Sequence, residues 1–293
     1  MTREALVSKK EAGGLIALLA VLLVIGSIFD FQISQALYNE SNPIANFFAA
    51  YGEYPAMLGF AASGALLVIG RNRQRRVVGA LQLLGGVLLA AWGGLMVSVM
   101  PGLYLDWPAA VIGAVGVLCT ALVVICMVRL CKNARREEVI RVAAAICFTI
   151  LAELVLINLI KVPWGRARMR LVARDSRAYF MPWWQPGTGL RDTLVAAGVA
   201  AEEFKSFPSG HSGNAIMLML LGLLPRLDSR LAGKRRLLAG IGFAWACVVA
   251  FTRIVMGAHY LTDTVVGLAV GLGCLLFVNW LVFGRAPAGG REA

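Results

Sequence analysis

Histidine is nearly missing from this chain. His211 and His259 are the only two in 293 residues, so chemistry that needs an imidazole has two places to occur. The sequence has no CxxC pair. Its six cysteines, Cys119, Cys126, Cys131, Cys147, Cys247 and Cys274, all lie within or at the ends of apolar runs. That excludes a disulfide framework and a zinc site of ordinary spacing, and the cysteines read as small buried hydrophobes. Internal repeats and low-complexity tracts are also missing. The first apolar run, Gly13 to Phe29, has no small-residue cleavage site leading into a soluble domain, and it reads as a retained span.

Apolar residues are plentiful. They make up 59% of the chain, and the mean hydropathy is +0.75. A soluble domain carries roughly 45–50% apolar residues. The excess falls in long uncharged runs at roughly 13–29, 53–70, 77–100, 108–131, 138–160, 209–225, 237–256 and 260–283. Crossing the hydrocarbon takes about 20 helical residues. The expected fold is therefore an all-α, polytopic transmembrane helix bundle of about eight spans. The run 209–225 is short and could alone be re-entrant, so six or seven spans are the alternatives.

A net charge of +12 suggests nucleic acid or anionic lipid. Where the charges fall decides between them. With a cytoplasmic N-terminus, the inside segments hold Arg3, Lys9 and Lys10, then Arg71, Arg73, Arg75 and Arg76. They continue with Arg129, Lys132, Arg135, Arg136 and Arg141, then Arg226, Arg230, Lys234, Arg235 and Arg236, and finally Arg285 and Arg291. The outside segments 30–52 and 101–107 hold no Lys or Arg. This positive-inside pattern requires the sixth run to cross and puts both termini in the cytoplasm. The expected partners are the bilayer and a lipid, with no nucleic acid.

Nine basic residues break that pattern. Lys161, Arg166, Arg168, Arg170, Arg174, Arg177, Arg191 and Lys205 lie in or beside one long outside loop, 162–208, and Arg253 lies near the outer end of the seventh run. An outer anion-binding site would explain them, and a merely solvated loop is the alternative. In the same loop, Met181-Pro182-Trp183-Trp184-Gln185-Pro186 suits a turn at headgroup depth. Thr193 to Ala201 suits a segment along the interface, and Glu202 and Glu203 read as solvated.

Both histidines sit in polar clusters at predicted outer span ends. Ser206-Phe207-Pro208-Ser209-Gly210-His211-Ser212 looks like a helix start, whose free N–H groups suit a phosphate. His259 and Asp263 are four apart and share a helix face. An Asp there can hold one ring nitrogen and leave the other as nucleophile, although a satisfied polar pair at a helix end is the plainer reading. Arg253 lies six residues before His259, across Gly257, and can fork onto phosphate oxygens. Lys161 and Arg168 flank a bend containing Pro163 and Gly165, with snorkelling as the alternative for Lys161.

These clusters resemble the three signatures of the type 2 phosphatidic acid phosphatase family, which is related to the vanadium haloperoxidases. K-x6-R-P is matched by Lys161 and Arg168, with Met169 in place of the Pro. P-S-G-H is matched by Pro208-Ser209-Gly210-His211. S-R-x5-H-x3-D is matched by Arg253, His259 and Asp263, with Thr252 in place of the Ser. The resemblance covers residues 161 to 263 and none of the first 130. It implies a six-span core plus two further spans, with the chain as one integral membrane domain, 1–293. Residues 1–137 would be spans without motifs and 138–283 the phosphatase core.

The resemblance also implies roles. His259 would attack phosphorus, Asp263 would orient it, and His211 would protonate the leaving group and then activate water. Lys161, Arg168, Ser209, Gly210 and Arg253 would hold the phosphate. Arg166 matches no family position but could add to that set. No metal and no cofactor is implied. The candidate substrates are phosphatidic acid, phosphatidylglycerophosphate, undecaprenyl pyrophosphate and lipid A phosphates, hydrolysed at the outer face of an inner membrane. A phosphotransferase of the same fold, a membrane transporter and a non-catalytic lipid-binding scaffold are the rival readings. A transporter would carry ionisable residues within its spans, and Glu153 is the one that lies well inside.

Overall fold

A computed structural model describes residues 6–284; Arg3, Arg285 and Arg291 of the charge pattern lie outside them. Eleven α-helices form, and no strand occurs among the described residues. They are α1 (Lys9–Leu37), α2 (Pro43–Tyr51), α3 (Tyr54–Ile69), α4 (Arg76–Val99), α5 (Ala109–Leu130), α6 (Arg136–Trp164), α7 (Met169–Arg174), α8 (Thr188–Ala196), α9 (Gly210–Ile216), α10 (Arg235–Val255) and α11 (Leu261–Phe283). Helix is the natural form for such runs, because hydrocarbon offers the backbone no partner and each N–H must bond within its own segment. Local signals set the starts. Ser8 and Glu11 form a reciprocal cap on α1, Asn42 caps α2 just ahead of Pro43, and Ser209 caps α9.

Seven helical stretches are long and apolar enough to cross a membrane, so the chain is an integral multi-pass protein. They are α1, α2 with α3, α4 with the turn after it, α5, α6 with α7, α10 and α11. The expected span at 209–225 is not among them. It is a 7-residue α9 followed by a 10-residue 3-10 helix, Met217–Arg226. The wider 3-10 rise carries these residues through about 30 Å, so the segment reaches far on few residues. It is also a core element: Ala215, Ile216, Met217, Met219, Leu220 and Leu223 are buried among the other helices. The stretch 30–52, expected as an outside loop, is mostly helical, as α1 runs on to Leu37 and α2 fills 43–51.

The bundle has a centre and a rim. α3, α6, α9, α10 and α11 pack on one another around the main apolar core. α1, α4 and α5 turn much of their surface outward, with Val24, Ile28, Leu81, Leu88 and Val117 exposed. Helices that are apolar all round fit lipid contact. Cys131 and Cys274 are buried as expected, but Cys126 and Cys247 are exposed on the helix surface; all six thiols are free.

The long loop folds into a cap. α7, α8 and a 3-10 turn, Ala201–Phe204, pack around Ala167, Leu171, Ala178, Leu194 and Phe204. The bend that starts the cap is at Gly165, whose φ of 72° closes α6 in the left-handed region that favours glycine. Trp183 donates its indole N–H to Ser27 Oγ of α1 at 2.9 Å, which ties the cap to the bundle. Under this cap, the C-terminal end of α6, the start of α9, the end of α10 and the start of α11 come together.

Candidate active site

His259 lies in the short turn between α10 and α11 and is 1% exposed. Its Nδ1 is 2.5 Å from the backbone oxygen of Ser206, so Nδ1–H donates there and Nε2 is left with the lone pair. Burial, and after it the charges of Lys161, Arg253, Arg168 and His211, push His259 well below the ordinary imidazole range. The ring is therefore neutral at pH 7, as a nucleophile must be.

Asp263 does not bond to this ring directly. Its Oδ2 is 3.9 Å from Nδ1. The carboxylate instead accepts from Ser206 Oγ at 2.6 Å, from Tyr260 N at 2.8 Å and from Arg166 Nη1 at 2.5 Å. The cause is its place as the third residue of α11, from which it turns back to cap its own helix. Asp263 fixes Ser206, and Ser206 fixes the ring.

Arg166 was a candidate for binding phosphate, and its geometry gives it another task. It is fully buried. Nε donates to Met181 O at 2.9 Å, Nη1 to Thr262 Oγ1 at 3.0 Å as well as to Asp263, and Nη2 to Asp30 at 2.8 Å. Tyr260 and Phe180 cover its faces. Asp30, near the end of α1, also accepts from Thr262 N at 2.9 Å. Gly26, one turn earlier, permits this approach, since a Cβ there would meet the Thr262 side chain at 2.7 Å.

The other basic residues of the loop are mostly paired as well. Arg170 forks onto Glu203, Arg174 meets Glu40, Arg177 meets Asp175, Arg191 meets Asp192, and Lys205 meets Glu202. Glu202 and Glu203 are thus ion-pair partners and not simply solvated. Three cations differ. Arg253 is 2% exposed, has its Nη1 on the Met256 sulfur, and leaves Nε buried with no partner. Arg168 reaches Glu202 through Nη2 at 2.8 Å, and its buried Nε is also without a partner. Lys161 lies one turn inside the end of α6, with Nζ 3.4 Å from where a Cβ on Gly210 would stand. Ser209 Oγ accepts from Ser212 N and Ser212 Oγ, which leaves its own O–H free to donate.

His211, in the first turn of α9, is bracketed by acceptors. Nε2 is 3.1 Å from Ala49 O of α2, and Nδ1 is 3.1 Å from Glu53 Oε1 at the start of α3. Tyr104, after α4, stands edge-on to the ring at 5.6 Å and lies 5.6 Å from the Arg253 guanidinium. Every motif residue is thus gathered at one end of the bundle. Asp30, Glu53, Tyr104 and Ser206 join them without having been singled out in the sequence. The first two were visible as acids at the edges of apolar runs, but nothing local said what they face. Among the described residues, no group of three or more His, Cys, Asp or Glu side chains is placed to hold a metal ion.

No curated protein and no solved structure matches the chain. A family match does exist, and it spans the helices that carry His211, His259 and the three underpaired cations. Residues 142–287 match the PAP2 superfamily, whose members are phosphatases.

Proposed function

We propose that this protein is a metal-independent lipid phosphate phosphatase, working at the outer face of an inner (plasma) membrane through a phosphohistidine. The observation that carries the reading is the set of buried cations around His259. Arg168 and Arg253 keep buried N–H groups without partners, and Lys161 stands beside them. Buried cationic donors are costly unless an anion meets them, and a phosphate is an anion of the right shape.

In this mechanism Lys161, Arg168, Arg253, the Ser209 hydroxyl and the Gly210 N–H hold the phosphate oxygens and meet the charge that develops on them. Nε2 of His259 attacks phosphorus. The P–O bond to the lipid breaks, its electron pair stays on the leaving oxygen, and His211 supplies the proton. Water then attacks the phosphohistidine, His211 takes its proton, the P–N bond breaks and inorganic phosphate leaves. The substrate is a phosphomonoester or pyrophosphate of a membrane lipid. A highly anionic headgroup gains no support from the loop arginines, because Asp and Glu partners already neutralise most of them.

The test is phosphate release from a panel of lipid phosphates in detergent with excess EDTA. Wild-type protein should release phosphate at full rate, and His259→Ala should lose at least about 10³-fold. Retained turnover in that variant, or a strict need for a divalent metal, would overturn the reading.

A further inference from the structure

His259 and His211 are each tied at Nδ1, but to unlike groups. A neutral backbone carbonyl holds His259. A carboxylate from outside the family-matched region, Glu53, holds His211 at 3.1 Å. Glu53 is itself fixed, because Asn214 Nδ2 of α9 donates to the same Oε1 at 3.1 Å. Asn214 is three residues after His211, so both reach Glu53 from one face of α9. The other charged groups that act on Glu53 are Arg253, Lys161 and, from the middle of α6, Glu153. Glu53 forms no ion pair within 4 Å except with His211 among the described residues.

We propose that Glu53 is the positioning residue for the proton-donating histidine. It holds Nδ1–H of His211 and stabilises the ring's charged state, so that Nε2 can give up its proton. Nε2–H rests on the Ala49 carbonyl at 3.1 Å. When a substrate is bound, the leaving oxygen takes that place. As the P–O bond breaks, the electron pair stays on oxygen, the Nε2 proton moves to it, and His211 ends neutral with Nδ1–H still on Glu53. This rests on the reading of His211 as the acid.

The spans before the family match would then belong to the reaction and not only to the scaffold. The assignment also explains why a carboxylate serves one histidine and a carbonyl the other. A nucleophile must start neutral, whereas an acid must start charged. Burial, and after it the nearby cations, push both rings below the ordinary imidazole range, so the acid is the one that needs a carboxylate to oppose the shift.

Leaving-group dependence tests this. A lipid alkoxide needs a proton to depart, and p-nitrophenolate does not. In detergent-purified full-length protein, Glu53→Gln should lower kcat on a short-chain lipid phosphate by about 10²-fold. With p-nitrophenyl phosphate, the loss should be about threefold or less under the same acid-catalysis argument. Glu53→Asp should recover part of the lipid rate. His211→Ala should show the same split, and more strongly. Equal losses on both substrates in Glu53→Gln, or no loss on either, would overturn the proposal while the His211 split stands. No split in His211→Ala would overturn the reading beneath it. Vanadate binding checks that the variant is folded: Glu53→Gln that still binds vanadate yet loses both activities equally counts against the proposal.

Discussion

Arg166 and Arg253 are both fully buried guanidinium groups near His259, yet their surroundings are opposites. Arg166 is saturated by Asp30, Asp263, Thr262 and a backbone carbonyl. Arg253 has a sulfur contact, an aromatic ring beneath it and a buried N–H with no partner. The first arrangement is an ion lock, complete without any ligand. The second leaves a buried cationic donor unmatched, which suits an anion. Burial and charge alone did not separate these residues; their partners do. The same contrast sorts the whole basic loop, in which locally paired arginines surround the few left open.

Three experiments bear on that contrast. Arg166→Ala should have the largest effect. It strands Asp30 and Asp263 as buried charges with no cation, which costs about 3–5 kcal/mol. The thermal midpoint in detergent should collapse, and activity with it. Near-normal melting would show that the lock contributes little. Arg253→Ala should do the reverse, leaving melting unchanged or raised while kcat/KM falls about 10²–10³-fold. Added inorganic phosphate should raise the wild-type midpoint, since a ligand that binds only the folded state stabilises it, and this shift should vanish in Arg253→Ala. A preserved shift would remove Arg253 from the cradle. Asp30→Asn should be the mildest. It keeps an oxygen for Thr262 N but weakens the hold on Arg166, with an expected loss of about 1–3 kcal/mol. The phosphate-induced shift should persist, and its loss would mean that the two arginines are not independent.

Much of this was legible in the sequence. Apolar runs located the seven long spans, because in hydrocarbon run length and helix are nearly the same statement. The resemblance to the three family signatures brought Lys161, Arg168, His211, Arg253, His259 and Asp263 forward as one set. The sixth run was harder to read, because its 3-10 stretch gains reach with fewer residues than any α-helical length rule allows. The expected His259–Asp263 bond was a sound reading of i, i+4 spacing, and it gave way because a helix N-terminus competes for the same carboxylate. Asp30 and Glu53 could not be assigned at all, since their partners come from helices far along the chain.

Sequence distance also bears on how the protein is made. Asp30 meets Arg166 136 residues later and Thr262 232 residues later. During N-to-C synthesis, α1 is therefore produced long before its counter-charge exists, and longer still before α11 arrives. Until the segment that carries Arg166 docks, the chain holds an acid that the bilayer does not welcome. The site is thus finished late, and an incompletely assembled chain is marked by an unneutralised Asp30.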